Sequence, residues 1–105
     1  MSPQEFFKKD YFAEKVGVEL LEIKEGYSKA RLVITEEHLN AGHRTQGGAI
    51  FTLADLALAA AANSHGTLAF SLSSSITFLR GSGPGDILYA EARERYTGRT
   101  TGYYL

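Results

Sequence analysis

Residues 16–35, "VGVELLEIKEGYSKARLVIT", are rich in apolar residues on both sides of Glu25-Gly26, and the second half alternates apolar and polar positions. A period of two puts successive side chains on opposite faces of a strand, so the stretch predicts two strands around a turn. In the second strand Ala30, Leu32 and Ile34 share one face, while Lys29 and Arg31 share the other. Residues 68–80, "LAFSLSSSITFLR", alternate as well: Phe70, Leu72, Ile76 and Phe78 fall on one face, and Ser71, Ser73, Ser75 and Thr77 on the other. After a "GSGPGD" turn, "ILYAEARERYTG" predicts a further strand and "RTTGYYL" begins a last one.

Residues 46–63 have a different rhythm. They are apolar on nearly every face, which predicts a long helix covered on most sides, with a stop near Gly66. Alanines at positions 54, 57, 59, 60, 61 and 62 let strands, and a neighbouring subunit, approach that helix closely. At the N-terminus Ser2, Pro3 and Glu5 read as a capping box with proline in the first turn. They open a short helix over about residues 3–13 that packs Phe6, Phe7 and Tyr11 on the body. The order is helix, two strands, long helix, three strands. It predicts a single α+β domain over 1–105, with a curved, mainly antiparallel sheet around one helix.

Composition narrows the function classes. The 105 residues are 44% hydrophobic and 22% charged, as in a soluble globular domain. A formal charge of -1 gives no polyanion surface, so no nucleic-acid partner is expected. With no cysteine there is no disulfide framework, thiolate zinc site or thiol nucleophile, and cytoplasm is the default compartment. "MSPQEFFKKD" lacks the apolar core of a signal peptide. "AIFTLADLALAAAA" has 14 residues, short of a membrane span, and contains an acid. No membrane partner is expected.

That acid, Asp55, is the lone carboxylate in the apolar run, which opens at "TQGG". Burying an unpaired carboxylate is costly, so Asp55 needs a partner, a wet cleft or a raised pKa. A structural role for Asp55, and close packing for Gly47-Gly48, are the plain alternatives to chemistry. In the chemical reading the glycines free backbone N–H groups at the positive end of the helix, where they could hold an oxyanion. Asp55 follows Gly47 by eight residues, roughly 12 Å along the axis. One acyl carbonyl cannot touch both, so a shared site needs two chains. A two-fold dimer pairing such helices antiparallel would make two equivalent sites.

"HLN", "TQGGAIFTLAD", "NSHG", "ITFLR" and "PGD", in that order, resemble the hotdog-fold acyl-CoA thioesterases of the phenylacetic-acid-degradation (PaaI-like) type, over roughly residues 12–105. The resemblance implies a central helix wrapped by an antiparallel sheet, a homodimer or dimer of dimers, and acyl-CoA hydrolysis without metal or organic cofactor. It places the acid, as nucleophile or general base, on Asp55 and the oxyanion donor on the Gly47 N–H. The amide that orients water or thioester falls on Asn40, and the adjoining polar position on Gln46. Many relatives carry histidine there, and glutamine can donate a hydrogen bond but cannot titrate. A further serine of the family matches Ser71, and Gly48 joins it as a candidate substrate contact. Arg80 and Arg99 are candidates for the coenzyme A phosphates, against the commoner role of solvated strand-face arginines. His38, His43 and His65 lack ligand spacing and read as loop histidines without metal.

The competing class is a non-catalytic hotdog module that binds acyl-CoA or a related metabolite, and a third is an incomplete remnant. Asn40, Gly47 and Asp55 together favour the enzyme, since binding alone does not require an acid beside the carbonyl. Relatives continue past "TTGYYL" into one more strand, which lies inside the sheet next to the strand that follows the helix. The expectation is therefore a sheet lacking its final strand, with a gap closed by rearrangement or by a partner's strand.

Overall fold

A computed structural model of the chain describes residues 2–105. The predicted hairpin forms β1 (Glu19–Lys24) and β2 (Tyr27–Val33), and Gly26 turns between them at φ 71°, a left-handed conformation that suits glycine. β3 (Ile87–Thr97) and β4 (Gly102–Tyr104) complete an antiparallel sheet of order β1-β2-β3-β4. β2 and β3 pair in unbroken register, Ala30 opposite Ala90 and Leu32 opposite Leu88. Across β1 and β2 the Arg31 guanidinium meets Glu19 at 3.0 Å.

The long helix α3 (Gly47–Ala62) lies on this sheet. Its buried positions, Leu53, Leu56, Ala57, Ala60 and Ala61, recur at three and four residues and form one stripe. Against it stand Ala30, Leu32 and Ile34, the face expected to be buried, each at 1% exposure or less. A leucine taken fully out of water, as Leu32 is, contributes about 1.5–3 kcal/mol. Alanines on both sides let helix and sheet come close enough for the buried Ser28 hydroxyl to donate to the Ala57 carbonyl. By length and hydropathy Gly47–His65 could cross a membrane, but it packs one face on the sheet as a core helix does. On the opposite face Asp55 is exposed and Phe51, Ala54 and Leu58 are half-buried, so the helix is covered less completely than its composition predicts.

Two expected elements differ. The N-terminal helix is two helices, α1 (Pro3–Phe7), with the Ser2–Glu5 capping box, and α2 (Tyr11–Val16). Asp10 separates them because its carboxylate accepts the Ala13 N–H and starts a new helix. α2 buries Ala13, while Tyr11 points to solvent. The second difference is residues 68–80, which form no strand. Alternation supplies the side-chain pattern, but a strand also needs a partner edge, and no described edge reaches this backbone. The sheet is therefore four-stranded and open beside this segment.

The segment is held by side chains instead. Asn63, following α3, grips Ala69 as a ladder rung would: its Oδ1 accepts the Ala69 N–H at 2.9 Å and its Nδ2 donates to the Ala69 carbonyl at 3.1 Å. Nearby, the C-terminal end of α3 is fastened to the sheet. The Gly26 N–H donates to Ser64 Oγ at 2.8 Å, and His65 Nε2 lies 2.6 Å from Glu94 Oε1.

Candidate active site

The loop before α3 sets the geometry of the helix start. Asn40 Oδ1 accepts the N–H groups of Gly42 at 2.9 Å and Arg44 at 3.1 Å, folding the loop around the side chain. This occupies the amide oxygen and leaves Nδ2 as the Asn40 donor available to a ligand. Buried Thr45 fixes the end of the loop: its N–H donates to the Ser82 carbonyl at 2.9 Å and its Oγ1 accepts the Ser82 hydroxyl at 2.7 Å. Nothing in the sequence pattern marked that link, or the Asn63 clasp, because each joins loops whose approach depends on the finished fold.

Gln46 is the N-cap of α3. Its Oε1 accepts the Gly48 N–H at 3.0 Å, and its carbonyl accepts those of Ala49 and Ile50. Of the first four helix N–H groups, only that of Gly47 has no acceptor among the described residues. The Gly48 donor is spent on the cap. Gly47 lies in a cavity of about 460 Å³ shared with Asn40, Ile50, Phe78 and Arg80. A free N–H at a helix N-terminus beside an amide donor suits a developing negative oxygen.

Asp55 lies two turns further along α3, in a separate cleft of about 380 Å³. The Ser71 hydroxyl donates to Asp55 Oδ1 at 2.9 Å, and Oδ2 has no partner among the described residues. The acid thus has both a partner and a wet cleft, which relieves the cost expected of a carboxylate in an apolar run. Phe12, Phe51, Leu56 and Leu72 give the cleft apolar walls. Ser71 turns toward the helix, while Phe70 and Leu72, of the apolar face of the alternation, are more than four-fifths exposed.

The candidate residues therefore fall into two groups on one chain, Asn40, Gly47 and Arg80 around one cavity and Asp55 with Ser71 in the other. Gln46 and Gly48, which flank Gly47 at the helix start, line neither, and nor does Arg99, in the connection between β3 and β4. His38 is tied to the Val16 carbonyl, and His65 to Glu94. Among the described residues no three His, Asp or Glu side chains converge as metal ligands would.

The family model of the thioesterase superfamily matches residues 45–105. A provisionally named esterase of Archaeoglobus fulgidus is 46% identical over 99 residues, covering 94% of this chain and 64% of the relative. The chain thus spans less than two thirds of that relative's length. The acyl-coenzyme A thioesterase PaaI of Escherichia coli is 36% identical over 98 residues, 93% of this chain and 70% of PaaI. The PaaI structure superposes with a TM-score of 0.85, over 94% of this chain and 76% of that one, at 35% identity. A Streptococcus mutans protein solved with acetyl-CoA gives a TM-score of 0.79 at 30% identity, over 84% and 71% of the two chains. With its central helix laid on an antiparallel sheet and the matched region covering more than half its length, the chain belongs to the thioesterase superfamily and has the hotdog fold.

Proposed function

We propose that the chain is the subunit of an acyl-CoA thioesterase that releases a free acid and coenzyme A. In this reading each site combines Asp55 of one copy with the Gly47 N–H of a second. The observation that carries it is the division of the site. A carboxylate with one free oxygen and an unpaired helix N–H open into different cavities of the same chain. They lie about 12 Å apart along one helix, too far for one carbonyl.

A thioester carbonyl is electrophilic and a thiolate leaves readily, so a carboxylate with preorganised N–H donors suffices for hydrolysis. Asp55 either attacks the carbonyl carbon, expelling the coenzyme A thiolate and leaving a mixed anhydride that water then cleaves, or takes a proton from water that attacks and expels the thiolate, and Ser71 holds it in place by one oxygen. The Gly47 N–H receives the oxygen charge, and the Asn40 amide hydrogens orient the thioester or the water. Arg80, at the rim of the Gly47 cavity, meets the coenzyme A phosphates. The similarity to PaaI and to the acetyl-CoA complex supports this substrate class.

The test is thiol release from a panel of aryl- and medium-chain acyl-CoA esters by wild type and Asp55→Asn. The substitution keeps the shape and removes the charge, so turnover should fall by about 10²- to 10⁴-fold, the usual contribution of a general base, with coenzyme A binding retained. Equal turnover in the two proteins would assign Asp55 a structural role. Coenzyme A binding without thiol release by wild type would make the chain a binding module.

A further inference from the structure

Glycine at position 47 is not required by backbone conformation. The glycines with positive φ are Gly17, Gly26, Gly66 and Gly85, whereas Gly47 begins an α-helix. What it supplies is space. A Cβ at position 47 would meet three atoms of the Phe78 ring, at 3.1, 3.3 and 3.6 Å. The ring therefore rests directly on the Cα next to the free N–H, in the cavity that Asn40 also lines. Phe78 is no core residue. It is 53% exposed and sits in the segment that lacks ladder bonds. Four residues on, the Ser82–Thr45 hydrogen bonds hold the chain against the loop that leads into α3.

We infer that Phe78 is a positioning residue for the reacting thioester, acting through Gly47. This rests on the thioesterase reading and deepens it. The ring replaces water on one side of the Gly47 N–H, and a hydrogen bond to a developing oxyanion strengthens where water is excluded. Its exposed face offers a flat apolar wall to the carbon atoms flanking the thioester. The carbonyl oxygen is left one approach, along the N–H. Glycine and phenylalanine form a matched pair, because a methyl group at 47 would push away the wall that makes the N–H effective.

The experiment compares wild type, Phe78→Ala, Gly47→Ala and the double variant, with Asp55→Asn in parallel. Steady-state thiol release and amide hydrogen exchange by NMR are read on each. Phe78→Ala should lower kcat about tenfold, less than the 10²- to 10³-fold loss of a whole donor, with KM within about twofold. The Gly47 amide should exchange about tenfold faster in Phe78→Ala, while buried α3 amides such as Leu56 keep their protection, as local rather than global opening requires. The double variant should be about as active as either single variant, since the methyl group and the missing ring remove the same wall. Wild-type kcat in Phe78→Ala, unchanged Gly47 exchange, or losses that multiply in the double variant would overturn the inference. If Asp55→Asn is inactive in that same set, the thioesterase reading stands while the role of Phe78 falls. Absence of thiol release by wild type would overturn both.

Discussion

At the first turn of α3 a single side chain decides which backbone donors remain available. Gln46 takes up the Gly48 N–H with its amide oxygen and those of Ala49 and Ile50 with its carbonyl, so the Gly47 N–H is left alone. Its part in the site is thereby first a cap, and its Nε2 can donate in addition. A histidine ring nitrogen can accept the same N–H, so Gln46→His should keep both the fold and most of the activity. Gln46→Leu leaves Gly48 uncapped, costs about 1 kcal/mol of stability and should lower kcat several-fold as the helix start loosens. Thermal melts and thiol release on the two variants check this, and wild-type values for Gln46→Leu in both would remove Gln46 from the site. At this scale the sequence singled out Asp55 and Gly47 as candidates, and the need for a partner to Asp55 is met by Ser71. The reason for Gly47 was not legible, because it is a contact with a ring 31 positions away, and no local pattern encodes that.

Between elements, a cluster of charged and polar side chains lies away from the site, where the segment after α3 meets the β1–β2 turn and β3. His65 stands between Glu94, 2.6 Å from its Nε2, and Glu25, 3.4 Å from its Nδ1, and Tyr104 also donates to Glu94 at 3.0 Å. The hydrogen bond to Glu94, reinforced by the charges of Glu94 and Glu25, raises the His65 pKa above the ordinary 6.5. Hydrogen bonds from Thr97 and then His65 hold Glu94 below 4.5. The histidine contribution to stability is complete below pH 6.5 and fades as pH rises through the raised folded value. The glutamate contribution is complete above pH 4.5 and fades as pH falls through the depressed one. The melting-temperature advantage of wild type over His65→Gln should therefore be largest between pH 4.5 and 6.5, shrink in more alkaline buffer, and weaken with salt. A difference independent of pH would mean that the pair acts only as a neutral hydrogen bond. Element identity followed from periodicity in the β1–β2 hairpin, in α3 and in β3, whose partner β2 is distant in sequence. Residues 68–80 show the limit: their alternation is as regular as that of β2, yet pairing depends on a distant edge that periodicity cannot reveal. The break between α1 and α2 was missed because Asp10 fits the surface of a continuous helix as well as the cap of a new one.

For the whole molecule, the proposed function requires two copies to bring the two cavities together. Phe70, Leu72 and Leu79 are 84%, 86% and 90% exposed along the segment that borders both cavities, and apolar surface of this kind marks an interaction site. If two copies share their sites across a two-fold axis, two inactive proteins should rescue each other. Asp55→Asn supplies one. Gly47→Pro supplies the other, since proline is favoured at the first helical position and removes the N–H. Gln46, at φ -64° and ψ 130°, already has the extended backbone that a residue before proline requires. The added ring meets Phe78, which is half-exposed and free to give way. In a heterodimer of the two variants one site carries both defects and the other neither. Random mixing makes half the dimers heterodimers with one good site in two, so activity should return to about one quarter of wild type. Co-refolding the two chains and measuring thiol release, with sedimentation to confirm the dimer, is the test. Folded variants that form heterodimers yet show no recovery would place the whole reaction within a single chain, and a fully active monomer would do the same.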